Sequence, residues 1–295
     1  VQRENVRVAA RALAEIARAC PIVVTHGNGP QVGLLALQAE AHRDVRPYPL
    51  DVLGAESEGM IGYLIEQELR NQMPDREVAT LLTQVEVDPA DPAWKAPTKP
   101  IGPMYSEAEA KHLAESRGFC VAPDGAGFRR VVPSPDPKRI IELNTIQLLV
   151  NSSILVICAG GGGIPVIRTE EGALRGVEAV VDKDASAALL AEAVGARILL
   201  LLTDVPAVWS AWRSPDARAI RTIAPADLKA MPFAAGSMAP KVAAACRFVE
   251  RTGQRAGIGS LADAAAILRG EKGTQIVPGT ASPVFYSTDE VRPPS

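Results

Sequence analysis

The chain has 295 residues, 47% hydrophobic and 22% charged, a balance that excludes a mostly disordered protein. Its 31 Lys and Arg against 34 Asp and Glu leave a net charge of -3, so it lacks the bulk basic charge of a protein held on nucleic acid. The longest strongly apolar stretch, Ile154–Ile167, holds four glycines and a proline, too short and too glycine-rich for a membrane span.

Val6, Ala9, Leu13 and Ile16 recur at helical spacing, which predicts a helix over 3–19. Pro21 ends it. Ile22-Val23-Val24 reads as a short buried strand, broken by Gly27-Asn28-Gly29-Pro30, with helices over 31–42 and 54–71. Residues 77–87 read as a strand. Five prolines within 88–103 predict a loop. Ser106-Glu107-Ala108-Glu109 fits the capping box S-x-x-E and starts a helix to about Arg117. Val121 and Val131-Val132, around Pro123-Asp124-Gly125, read as a hairpin, so 95–135 forms a small protruding subdomain. A helix is expected from Pro137 to Val150, then a strand over 154–158 and the run Gly160–Gly163. Further strands are expected at 177–181, 198–202, 255–258 and 275–277, and helices at 184–194, 237–252 and 262–269. Residues 198–202 are apolar at every position, as in a strand covered on both faces. The alternation of strands and helices predicts an α/β, three-layer αβα sandwich with a largely parallel central sheet.

Ligands of such sheets sit beyond the carboxyl ends of the strands. Gly27-Asn28-Gly29 follows a strand and precedes a helix, so its amides can face an anion. Gly33 is one position too late for G-x-G-x-x-G, and no G-x-x-x-x-G-K-[ST] occurs, which argues against a dinucleotide fold and a P-loop. Gly160, Gly161, Gly162 and Gly163 cost backbone entropy; either a sharp strand exit or close approach of backbone to a ligand explains them. Lys183 and Lys241 each fall in the first turn of an expected helix, with Asp184 and Ser237 as caps. A cation there opposes the helix dipole, and two such lysines form a positive cavity suited to phosphoryl oxygens. Lys99 stands in a proline-fixed segment. Cys20, Cys120, Cys158 and Cys246 show no C-x-x-C spacing, so free thiols in a reducing compartment are expected. With no apolar signal region in 1–18, the protein is expected to be cytoplasmic.

In order along the chain stand THGNGPQVG (25–33), EGMIGY (58–63), KPIGP (99–103), VPSPDP (132–137), AGGGGIPV (159–166), GVEAVVDKD (176–184), LLTDV (201–205) and GSMAPKV (236–242). This set resembles carbamate kinase, within the amino-acid-kinase superfamily, over nearly the whole chain. The resemblance implies reversible phosphoryl transfer between ATP and carbamate, with Mg²⁺ carried mainly by the nucleotide phosphates, in a homodimer that binds neither nucleic acid nor membrane. It implies a lobe over 1–195 for carbamoyl phosphate, with 95–135 as its lid, and a nucleotide lobe over 196–295. Catalytic roles are implied for Lys99, Lys183, Asp184 and Lys241, and a phosphate loop for Gly27, Asn28 and Gly29; Gly160, Gly161, Gly162 and Gly163 are expected, from their own run of glycines, to form a second phosphate-binding loop. Nucleotide contacts are implied for Thr203, Asp204, Val205, Ser237 and Met238.

Two departures stand out. Ala239 replaces the glycine usual in the family. The family also opens with a strand leading into a Gly-Gly-Asn loop, whereas Val1–Ala14 already resembles the family's first helix, so that strand is expected upstream of Val1. Without it, unpaired edges and a cavity are expected, and a nucleotide-binding chain with impaired transfer is the alternative. Another acid kinase of the superfamily is a further alternative, which KPIGP argues against.

Overall fold

Helix α1 (Gln2–Ala19) turns Ala10, Ala14 and Ala17, spaced four and three residues apart, into the core. The computed structural model describes residues 2–41, 47–212, 214, 216–233, 238–279, 282–287 and 289–291. After α1 come β1 (Val23–Val24), α2 (Gly29–Ala41), α3 (Leu50–Gln72), β2 (Val78–Thr80) and β3 (Gln84–Val87). A small unit follows: β4 (Lys99–Tyr105), α4 (Glu107–Arg117), β5 (Val121–Asp124) and β6 (Gly127–Val132). The chain returns through β7 (Pro137–Ile140), α5 (Leu143–Asn151), β8 (Leu155–Ile157), β9 (Ile164–Arg168), β10 (Leu174–Gly176) and α6 (Lys183–Ala193). The C-terminal part holds β11 (Ile198–Thr203), β12 (Trp209–Ser210), β13 (Arg218–Ile223), α7 (Pro225–Lys229), α8 (Met238–Thr252), β14 (Arg255–Ser260), α9 (Ala264–Arg269), β15 (Thr274–Ile276) and β16 (Val284–Phe285).

Strand β8 shows the layering. Leu155 and Ile157 pack with α1 and α3, whereas Val156 and Cys158 pack with α5 and Leu190 of α6. Successive strand residues point to opposite faces, so one strand joins both helix layers. The layers continue past β11: α1 packs on α9, and α6 packs on α8. This is the expected αβα sandwich. Strands β1, β8 and β2 are parallel throughout, as are β11 and β14, but antiparallel pairs such as β14–β15 and β3–β7 make the remaining sheets mixed.

Several expected elements are corrected. The strand read over 77–87 is two strands in different sheets, β2 beside β8 and β3 beside β9. Residues 137–140 form β7 on the edge of β3 before any helix begins. Residues 177–181 form no strand; the ladder lies at β10, and 177–181 is held by single bonds from Val177 and Val180 N–H to the Pro165 and Pro133 carbonyls. Lys99 opens a strand rather than sitting in a loop. Strands β12, β13 and β16 carry no clear alternation in the sequence and are defined by their partners.

The outer edges of β1 and β11 do not pair with each other. Between them lies a cleft of about 810 Å³, walled by Val23, Val24 and 198–202 and reaching Lys183 and Asp184. No helix among the described residues is long and apolar enough to cross a membrane.

The small unit is the antiparallel sheet β4–β6–β5 with α4. It docks through Ile101 and Val132 onto Val32 and Ala36 of α2 and Leu50 and Leu53 of α3. Gly33 permits this approach, because a Cβ there would lie 2.8 Å from the Gly102 Cα. The capping box is present: Ser106 Oγ accepts from the Glu109 N–H, and Glu109 accepts from the Ser106 N–H. Ser106→Ala is expected to cost about 1 kcal/mol and to speed amide exchange over 107–117 several-fold. Unchanged exchange in that segment would refute the cap's contribution.

Candidate active site

Helix α6 begins at two acids with different tasks. Asp182 is its N-cap, with Oδ1 accepting from the N–H groups of Asp184 (2.9 Å) and Ala185 (3.1 Å). The sequence reading gave this task to Asp184. Asp182 takes it because its backbone is still extended, at φ -70 and ψ 124, which an N-cap requires. Its Oδ2 accepts from Lys99 Nζ at 2.7 Å. Asp184 is thereby left to the lysines. Lys183 Nζ lies 3.0 Å from both of its oxygens, and Lys241 Nζ, from α8, lies 3.1 Å from Oδ2. Lys99, Lys183, Asp184 and Lys241 thus form one chain of charges, with Asp182 as the link that the sequence reading missed.

Burial grades this chain. The Asp184 and Lys241 side chains are each 8% exposed, whereas those of Lys183 and Lys99 are 40% and 32% exposed. Burial, together with the charge of Lys183, lowers the Lys241 pKa against the pull of Asp184. For Lys183 burial acts the same way, but Asp184 outweighs it and holds the ammonium above its ordinary value. Burial opposes ionisation of Asp182 too, and Lys99 outweighs it and holds the carboxyl low.

The loop after β1 meets this cluster directly. Gly27 and Gly29 are exposed, whereas Asn28 is buried and donates from Nδ2 to Ser57 Oγ at 2.8 Å. The Asn28 carbonyl accepts from the Gln31 and Val32 N–H groups, starting α2. Among the described residues, no acceptor outside α2 takes the N–H groups of 27–29. The bare Cα of Gly27 faces the Lys183 stem, and a Cβ there would sit 3.3 Å from Lys183 Cδ. Gly27 and Lys183 therefore line one site at the end of the cleft.

Gly160–Gly163 is corrected. Gly160–Gly162 are buried, and all four N–H groups are taken: Gly160 donates to Glu58, Gly161 to the His26 carbonyl, Gly162 to Ala159 and Gly163 to Gly160. The glycines are required by protein neighbours, since a Cβ on Gly160 would meet the His26 ring, on Gly161 the Asn28 amide, and on Gly162 the Val181 carbonyl. The run shapes the site from behind instead of offering free amides to a ligand. Nothing local in the sequence marks Glu58 or Thr83 as its supports, because that support comes from segments far away in the chain.

Thr203 ends β11 and donates to Asp204 Oδ1 at 3.0 Å; Asp204 is exposed. Both α6 and α8 pack on β11, so Thr203–Val205 emerge beside the helices that carry Lys183 and Lys241. Met238 opens α8 and packs on the C-terminal core. Ser237 lies outside the described residues. No group of three or more His, Cys, Asp and Glu side chains could hold a metal ion among the described residues. Asp182 and Asp184 are already committed to lysines. A site for Mg²⁺ made by protein ligands alone does not fit this arrangement.

The chain matches the amino acid kinase family model over residues 2–260. It is 51% identical to carbamate kinase of Haemophilus influenzae, covering 97% of this chain and 93% of that protein. It is 48% identical to carbamate kinase of Pyrococcus horikoshii, covering 93% and 91%. The solved carbamate kinase of Giardia lamblia bound to AMP-PNP superposes with a TM-score of 0.86 at 41% identity, covering 93% of this chain and 90% of that one. N-acetylglutamate synthase of Neisseria gonorrhoeae, at 14% identity and a TM-score of 0.58, shares the fold alone. The lysine–carboxylate chain at the start of α6, the αβα frame that presents it and these matches together show that the chain belongs to the amino acid kinase family, among its carbamate kinases.

Proposed function

We propose that this chain transfers a phosphoryl group reversibly between carbamoyl phosphate and ADP, giving carbamate and ATP. The observation that carries the reading is the Asp184 carboxylate shared by Lys183 and Lys241, with Gly27 against the Lys183 stem. In the direction of ATP formation, a terminal oxygen of ADP attacks phosphorus, the bond from phosphorus to the carbamate oxygen breaks, and carbamate departs as an anion. The attacking ADP oxygen is already ionised, and the leaving oxygen takes the electron pair of the broken bond to depart as a stable carbamate anion, so no residue is needed to move a proton. The protein's task is to position the groups and neutralise the equatorial oxygens. Lys183 and Lys241 supply charge from the α6 and α8 sides, and Gly27–Gly29 supply amides from the start of α2. Thr203–Val205 and Met238 are assigned to the nucleotide. Mg²⁺ is assigned to the nucleotide phosphates, and no step is routed through it. A homodimer is proposed from the family resemblance, supported by Met60, Tyr63 and Leu82, which expose apolar surface on and beside α3; a monomeric mass in sedimentation would exclude it.

A second reading is nucleotide binding with poor transfer. One assay separates the two. ATP formation from carbamoyl phosphate and ADP supports transfer, whereas calorimetric ADP binding without ATP formation supports the second reading.

Lys183→Ala and Lys241→Ala are each expected to lower kcat by about 10²–10³-fold. Retention of more than roughly a third of wild-type kcat by either variant would remove that lysine from the transition state.

The unit from β4 to β6 is proposed to act as a lid. Lys99 stands at its base, tied to Asp182, so the lid's position is coupled to the cap of α6. Adding ADP with a carbamoyl phosphate analogue is expected to slow amide exchange over 95–135. Identical exchange with and without these ligands would end the lid assignment.

A further inference from the structure

Two neighbouring parallel strands break at the same level, and one buried carboxylate fills the break. After Thr80 the chain leaves β8 and re-forms as β3; after Ile157 it leaves β2 and re-forms as β9. Glu58, in the middle of α3, reaches this gap with 1% of its surface exposed. One oxygen accepts from the Gly160 N–H at 2.8 Å and the other from the Thr83 N–H at 3.2 Å. Thr83 Oγ1 in turn accepts from the Ala159 N–H at 2.9 Å. A buried carboxylate bonded to amides is costlier to place than an apolar side chain, and local rules are broken where a geometry must be held.

The geometry passes from Gly160 to the site. The His26 ring and the Asn28 amide pack on the bare Cα atoms of Gly160 and Gly161. The Gly161 N–H donates to the His26 carbonyl at 2.7 Å, and Ser186 of α6 donates to the Gly162 carbonyl at 2.7 Å. The turn thus spans the space between the Gly27–Gly29 loop and the first turn of α6.

We propose that Glu58 is a positioning residue for phosphoryl transfer, anchoring the Gly160–Gly162 turn and through it the spacing of the Gly27–Gly29 amides from Lys183. The proposal rests on the transfer reading above. Glu58 is too deeply buried to touch substrate.

The anchor depends on charge, because only a carboxylate accepts at both oxygens. Burial pushes the Glu58 carboxyl up to about 7, with the Gly160 and Thr83 bonds opposing the rise and Glu142 adding to it. Three titratable groups face it. His26, after β1, has its imidazole pKa lowered by burial. Glu142, at the start of α5, is bonded to Gln84. Cys158, after β8, has its thiol pKa raised by burial. None of the three brings a positive charge at neutral pH. As pH falls through about 7, a proton on Glu58 turns one acceptor into an O–H that faces an N–H, and the turn loosens.

The test compares the wild-type chain with Glu58→Gln, both labelled with ¹⁵N-glycine, between pH 6 and 8. The Gly160 amide resonance is expected to titrate in the wild type and to stay fixed in Glu58→Gln. ATP formation in the wild type is expected to fall on the acid side with the same midpoint. In Glu58→Gln that limb is lost, kcat falls about 10–100-fold, and KM for ADP stays within about twofold, since the nucleotide site lies apart. A Gly160 resonance constant with pH in the wild type would overturn the proposal even if Glu58→Gln failed to fold. So would a variant that loses thermal stability but keeps kcat and the acid limb, since Glu58 would then only satisfy buried amides. A wild-type chain that forms no ATP would refute the transfer reading, while the Gly160 titration would still report whether Glu58 holds the turn.

Discussion

Two lysines from two helices share one buried carboxylate, and much of the fold exists to make that possible. Lys183 opens α6 and Lys241 stands in the first turn of α8. Their ammonium groups meet only because the helices pack closely, through Ala187, Ala188 and Ala191 on one side and Ala244 and Ala245 on the other. Each lysine by itself would oppose its helix dipole. Asp184 holds both ammonium groups in place, 3.0 Å from Lys183 and 3.1 Å from Lys241. Removing Lys241 or Asp184, both 8% exposed, costs about 3–5 kcal/mol, because it strands a charge away from water.

The frame around this cluster divides labour between loops. Gly27 and Gly29 are exposed and no acceptor outside α2 among the described residues takes the N–H groups of 27–29, whereas Gly160–Gly162 is buried and spends every amide on the protein. The two glycine runs look alike as sequence. They differ because the first precedes a helix, whose opening N–H groups have no internal partner, and the second crosses a gap between sheets that Glu58 and Thr83 close.

Charge organises the small unit as well. Lys99 is carried on β4 but bonds to Asp182, the cap of α6. One acid therefore holds the helix start, the base of the β4–β6 unit and, by adjacency, Lys183. An apolar base of Ile101 and Val132 against α2 and α3 supports that ion pair.

The sequence by itself determined the alternation of strands and helices, the capped helix at Ser106–Arg117, the all-apolar strand at Ile198–Leu202 and the short list of lysines and glycines. Those features are local: periodicity, caps and turn residues act within a few positions. Only the tertiary structure decided that 77–87 splits between two sheets, that Asp182 caps α6 and releases Asp184, and that Glu58 supports the Gly160 turn. Except for the Asp182 cap itself, whose partners lie two and three residues on, these rest on partners distant in sequence: Thr83 and Glu58 are 25 residues apart, Gly160 and Glu58 are 102 apart, and Lys241 and Asp184 are 57 apart. A buried carboxylate or a shared lysine pair leaves no periodic trace along the chain, because its cause is the burial that packing creates.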